Sequence, residues 1–198
     1  MTGLGSDDVI KLRKLLQRTS GSQYRKYYSS DLVNLFGFTS LTQAGTAGRV
    51  FITLCTFLQK ATISAITGEV TTSGGVGTFL RLGIYEDQGG RTPVDGDLLF
   101  DSGNIAADAT GVKTATLTTP LVVEKYRSIF LALETEDAVV VFRRVSLPVV
   151  LPNATEVGWG CRYDRGGGFG AFTNPCPAVT QDNNINPWSF VIVEAWDE

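Results

Sequence analysis

The side chains in this sequence that could do chemistry are carboxylates, three cysteines and a set of aromatics in a glycine-rich stretch; histidine is absent. Without histidine there is no Ser-His-Asp triad, no Cys-His dyad and no imidazole metal ligand. The carboxylates gather as Glu86/Asp87, Asp95/Asp97 and Glu134/Glu136/Asp137. Glycoside hydrolysis needs two of them opposed across a sugar. Here each group falls at a turn, where solvation accounts for it, so no catalytic residues are expected. Calcium is the one cofactor the residues suggest. Asp87, Asp95, Asp97 and Asp101 share a turn-rich stretch, and calcium takes about six to eight oxygen ligands. Their spacing matches no EF-hand, so the expected cofactor and metal sets are empty.

The thiols read differently from one another. Cys55 stands in an apolar run, as a small buried residue would. Cys161 and Cys176 share the glycine-rich stretch, where a disulfide or two free thiols both fit; assembly in a cytoplasm favours the free form. The run Arg162-Tyr-Asp-Arg-Gly-Gly-Gly-Phe-Gly lacks the Lys-Ser/Thr and the following helix of a phosphate cradle, and reads as a flexible loop. Trp159, Tyr163, Phe169 and Phe172 lie in the same region, 152–188, a long stretch without a clear period. Two uses stand for these rings: recognition of sugar or protein, or folding back to plug an open end of the domain.

The elements that must position these groups are strands. The chain has 198 residues, enough for one large β domain. Its 43% apolar content is that of a globular protein, and 22 glycines supply turns. From Arg49 onward short apolar segments alternate with turn signals. They are Val50–Thr56, Ala61–Thr67, Phe79–Tyr85, Leu98–Phe100, Val112–Leu117, Leu121–Val123, Arg127–Glu134, Ala138–Phe142, residues 144–151 and Ser189–Ala195. No helical pattern falls between them, so the expected class is mainly β, an antiparallel sandwich of jelly-roll-like type over 49–198.

Residues 1–48 carry a separate expectation. Ser6-Asp7-Asp8 caps a short helix over about 7–19. Its Val9, Leu12 and Leu16 stripe suits a neighbouring chain or the domain itself. Residues 22–48 read as a connecting arm, with Thr39–Gly48 a loop. Tyr24, Tyr27 and Tyr28 among cations have the composition of an assembly interface.

The net charge of −3 gives no reason to expect nucleic acid or an anionic membrane as partner. No apolar run is long enough to insert in a bilayer. The polar N-terminus lacks a signal-peptide core, so synthesis in a cytoplasm is expected.

The stretch Arg81–Gly103 reads strand, long turn, strand. Its pattern is Leu82-Gly-Ile-Tyr-x-Asp87-x-Gly-Gly-x-x-Pro93, then Leu98-Leu-x-Asp101-x-Gly103. This resembles a β-sandwich module of bacteriophage virion proteins, found in tail fibres, baseplate parts and head decorations. The resemblance covers about 49–150 and is best over 81–134. Thr110–Leu117 and Leu131–Leu133 continue it, while Ile129-Phe130 departs from the usual aromatic pair. It implies a non-enzymatic virion protein made in a host cytoplasm and often homotrimeric. Other virion proteins would be its partners, and a host glycan its candidate ligand. Within that class stand a tail-fibre or adhesin subunit attached through its N-terminal segment, and a head-decoration protein on a capsid. A carbohydrate-binding module is the alternative outside it. No catalytic residues come with the resemblance.

Overall fold

In the computed structural model the described residues are 39–57, 60–89, 92–146, 160–181, 186–187 and 189–197. The expected helix at 7–19, with Val9, Leu12 and Leu16, and the tyrosines Tyr24, Tyr27 and Tyr28 lie outside them.

The described residues form strands β1 (Thr39–Ala44), β2 (Arg49–Thr56), β3 (Lys60–Thr72), β4 (Phe79–Glu86), β5 (Leu98–Asp101) and β6 (Ile105–Ala106). They continue with β7 (Gly111–Val123), β8 (Ser128–Thr135), β9 (Val141–Ser146), β10 (Gly160–Asp164), β11 (Thr180–Gln181), β12 (Asn186–Pro187) and β13 (Ser189–Asp197). They assemble into a 6-stranded and a 7-stranded sheet. Every pairing is antiparallel. The result is a mainly β, two-sheet sandwich, as the alternating segments imply.

In the first sheet β3 is the spine. Val70 has Gly111 of β7 on one side and Phe142 of β9 on the other. Ile66 has Ala115 of β7 and Val191 of β13. Thus β13 and β9 follow one another along a single edge of β3. β9 in turn carries β1 and β12. The second sheet runs β11-β10-β2-β8-β4, with β5 and β6 side by side on the outer edge of β4. Most connections cross from one sheet to the other, so few neighbours in sequence are neighbours in a sheet.

Side-chain alternation builds the space between the sheets. Leu80, Leu82 and Ile84 of β4 and Ile129, Leu131 and Leu133 of β8 point inward. From the other sheet come Ile63, Ile66 and Val70 of β3, Ala115 and Leu117 of β7 and Phe142 of β9. Phe51 and Phe142 meet across the layer with ring centroids 5.2 Å apart. At Gly68 a Cβ would come 3.2 Å from side chains of both Leu82 and Leu133, so this glycine lets the layers close.

A second core occupies the outer face of the 7-stranded sheet. Val50 and Ile52 of β2, Phe130 and Ala132 of β8, Tyr85 of β4 and Cys161 and Tyr163 of β10 are packed there with Phe172 and Cys176 of the segment that follows β10. β8 is therefore buried on both faces along nearly its whole length. The stretch expected as a long loop is instead partly sheet. β10 pairs with β2, and the chain after it folds back over the sheet face.

Three further segments differ from expectation. Thr39–Ala44, expected as loop, is β1, whose register runs Thr39↔Ser146 to Ala44↔Val141. The apolar run Ala138–Phe142 becomes strand only at Val141. Asp137 Oδ1 accepts hydrogen bonds from the N–H groups of Val139 and Val140 at 2.9 and 3.0 Å, which holds them in a turn. The segments on either side of Pro120 join as one strand, with the ladder irregular between Ile63 and Ala65 opposite them.

Phe172 sits where a side chain at position 83 would be. A Cβ built on Gly83 would lie 2.6 Å from Phe172 Cε2 and 3.2 Å from the Phe100 carbonyl oxygen. Gly83→Ala is expected to lift the ring from the sheet and cost about 1–3 kcal/mol, the range for overpacking a filled core. Chemical denaturation measures it, and a variant as stable as the parent would show that Phe172 does not rest on β4.

Candidate functional site

Two pairs of charged side chains meet beneath the segment that covers the second core. β8 carries Glu134 on its outer face, directly paired with Arg81 of β4. Asp101, the last residue of β5, reaches Arg81 Nε with Oδ1 at 3.1 Å. From the turn after β10, Arg165 Nη2 donates to Glu134 Oε1 at 3.1 Å. Arg165 thus faces the Glu134 carboxyl, and Arg81 faces Asp101, on a surface that the chain itself covers. Glu134 is fully buried, and its expected place at a solvated turn is corrected: it stands one step farther along a strand covered on both faces.

Arg165 is the organiser of the covering turn. Its Nη2 also donates to the Gly168 carbonyl at 2.6 Å, and Nη1 donates to the Ala171 carbonyl. Its own backbone N–H donates to Gly48 O at 2.6 Å. Gly168, with φ +75°, supplies the left-handed step of the turn that wraps the guanidinium, while a Cβ at Gly166 or Gly167 would meet nothing. Flexibility here serves a tight turn around a side chain, not a phosphate. Arg49 of β2 closes the rim with a 2.6 Å ion pair to Asp164, whose carboxyl that bond holds below its ordinary range.

Asp101 is a second anchor. Oδ1 also accepts from Gly103 N–H at 2.9 Å, and Oδ2 accepts from Phe172 N–H at 3.1 Å. Its carboxylate is thus shared between Arg81, its own turn and the cover. Of the other proposed calcium ligands, Asp95 and Asp97 are exposed, and Asp87 Oδ1 accepts from Gly89 N–H at 3.0 Å. Among the described residues no group of three or more carboxylate or thiol side chains could hold a metal ion. The turn carboxylates therefore do not converge as a calcium cage would.

The aromatics proposed for recognition divide. Tyr163 and Phe172 are buried in the second core. The Tyr163 hydroxyl is 2.9 Å from that of Tyr85, which donates to the Thr173 carbonyl at 2.8 Å. Burial pushes the Tyr163 phenol up. Tyr163 belongs to the covered sheet face and Phe172 to the segment over it, and both rings are buried. Phe169 is half-buried, and Trp159 lies outside the described residues. Cys161 and Cys176 join the same core as free thiols, both pushed up to about 12 by burial. Cys176 further ties the cover to the β4–β5 turn: its N–H donates to Gly96 O and its carbonyl accepts from Asp95 N–H, both at 2.9 Å.

Glu134 is the chemically unusual group. Burial pushes its carboxyl up to about 7; Arg165, the Gly170 backbone and Arg81 pull the other way, and Asp101 adds to the rise. Oε2 is buried without a hydrogen-bond partner. A carboxyl poised near neutrality is a common general acid, but this one lies under Arg165 and the covering segment with no exposed surface. What the arrangement can do is latch the cover to the sheet.

No family model matches the chain, and no curated protein is similar to it in sequence.

The raised carboxyl fixes a pH dependence. A group held above its ordinary 4.5 stabilises the fold most below that value, and the contribution is lost as pH rises through about 7. Glu134→Gln removes the titration while keeping the shape. The stability of wild type relative to this variant, read from denaturant unfolding, is expected to fall by about 3 kcal/mol between about pH 4.5 and about pH 7. A constant difference across that range would mean that the carboxyl is hydrated.

Proposed function

We propose that this chain is a non-enzymatic structural protein of a bacteriophage virion, a tail-fibre or adhesin subunit attached through its N-terminal segment. The observation that carries the reading is how the charged groups are used. Glu134, Arg165, Arg81 and Asp101 are turned inward to fasten a cover over the 7-stranded sheet, and the buried tyrosines and cysteines pack beneath that cover. A body built in this way works through shape and outer surface. The strand-turn-strand pattern that resembles phage modules maps onto β4, its turn and β5, the elements that supply Arg81 and Asp101. On this reading the sandwich is a jelly-roll-like module projecting from the particle. Its partners are other virion proteins, and three copies associate.

Two measurements test this. Purified particles of a phage encoding this chain are expected to contain it in few copies, a multiple of three, with immunogold label at the tail. Label spread densely over the head would make it a decoration protein, and absence from the particle would overturn the virion reading. Removing residues 1–20 is expected to leave the β circular dichroism signal and cooperative unfolding intact while abolishing incorporation. A truncated chain that fails to fold would place those residues in the body.

A further inference from the structure

The connection from β7 to β8 carries a backbone feature that packing does not explain. Tyr126 has φ +62°, in the left-handed region, where bulky L-residues are rarely found. Asp95 is the one other non-glycine with positive φ among the described residues, and Asp tolerates that region. The conformation is fixed from both sides. Tyr126 N–H donates to Phe57 O at 2.8 Å, Phe57 N–H to Arg127 O at 2.9 Å, and Arg127 N–H to Glu124 O at 3.1 Å. Glycine or asparagine would meet the same backbone demand without strain. The tyrosine ring gives little back to the core, because the residue is 70% exposed.

What the strain does achieve is presentation. The ring stands at the tip of a turn, with Lys125 before it and Arg127 after it in the chain. Lys125 Nζ lies 4.9 Å from the ring centroid. Glu124 is drawn aside by Lys60, at 3.5 Å. The chain as a whole is acidic, so a paired cation and aromatic here is a local feature.

We propose that the Glu124–Arg127 turn is a binding site for an acidic carbohydrate. The sugar's C–H face takes the place of the Lys125 ammonium over the Tyr126 ring, and its carboxylate meets the displaced ammonium and the Arg127 guanidinium. A protein partner is disfavoured by size. A stable protein interface covers about 800 Å² on each side, whereas this tip is one residue flanked by charges, the footprint of a saccharide unit. The site names a ligand class for the adhesin reading and rests on it only for its biological role. Binding is measured on the isolated full chain, so its failure is distinct from absence of the protein from a particle.

The test is calorimetric titration with an oligogalacturonate, a neutral galacto-oligosaccharide of equal length and a polyglutamate peptide. The oligogalacturonate is expected to bind about tenfold or more tighter than either, and to weaken as salt rises from about 20 to about 200 mM. Tyr126→Gly is expected to lose that binding while Tm rises by about 2–4 °C through relief of strain. Tyr126→Asn, which also suits this backbone, should lose the binding without a fall in Tm. Lys125→Gln should reduce the acidic sugar to the level of the neutral one. Equal binding of neutral and acidic sugars, no binding of either, or full binding by the tyrosine variants would overturn the proposal. So would polyglutamate binding as well as the sugar, which would mark a protein site. A fall in Tm for both tyrosine variants would also overturn it, because the ring would then be a packing element.

Discussion

The covering of both faces of one sheet is the constraint on which the rest of this structure depends. A two-layer sandwich needs only one apolar face per sheet. Here β2, β8 and β4 carry apolar side chains on both faces, and the second face would stand in water if the segment after β10 did not return over it. Once that return is made, Arg81, Glu134 and Asp101 lose solvent as well. Buried charges are tolerated only when they are paired. The return segment brings the pairing with it: Arg165 meets Glu134, and the Phe172 N–H meets Asp101. Covering and charge pairing are therefore one event.

The same constraint explains why the glycines stand where they do. Gly83 leaves the space into which the Phe172 ring settles, and Gly68 lets the facing layers approach on the other side of the sandwich. Gly168, at φ +75°, permits a turn in which one guanidinium bonds with two carbonyls of its own loop and a carboxyl of the sheet. Tyr126, just before the start of β8, is held by backbone hydrogen bonds but faces outward. Rigidity is spent inward at the latch and outward at the tip.

Much of the fold was legible in the sequence. Strand character from Arg49 onward, the reversal at Glu136-Asp137 and the absence of βαβ signals together imply an antiparallel sandwich. The partners of each strand were not legible, since most connections cross between sheets and pairing is set by distant residues. β10 was hidden because Gly160-Cys-Arg-Tyr-Asp has little strand propensity of its own; pairing with β2 overrides it. Glu134 was assigned to solvent because it lies next to Glu136 and Asp137. The available signal was the run Ile129–Leu133, apolar at every position. A strand that is apolar at consecutive positions is buried on both faces, so a carboxyl continuing it needs a cation. Arg165 could not be matched to it across the intervening chain by any local pattern. The aromatics at Tyr163 and Phe172 were legible as a group, but their direction was not.

Native-state hydrogen exchange tests the central claim most directly. If the segment after β10 is part of the core, the amides of Phe172, Cys176 and Asp95, each bonded across that seam, exchange only through openings nearly as costly as those that free the β8 amides. If they exchange at the rate of a free loop while β8 remains protected, the second face of the sheet is open to water and the account of its latch is wrong.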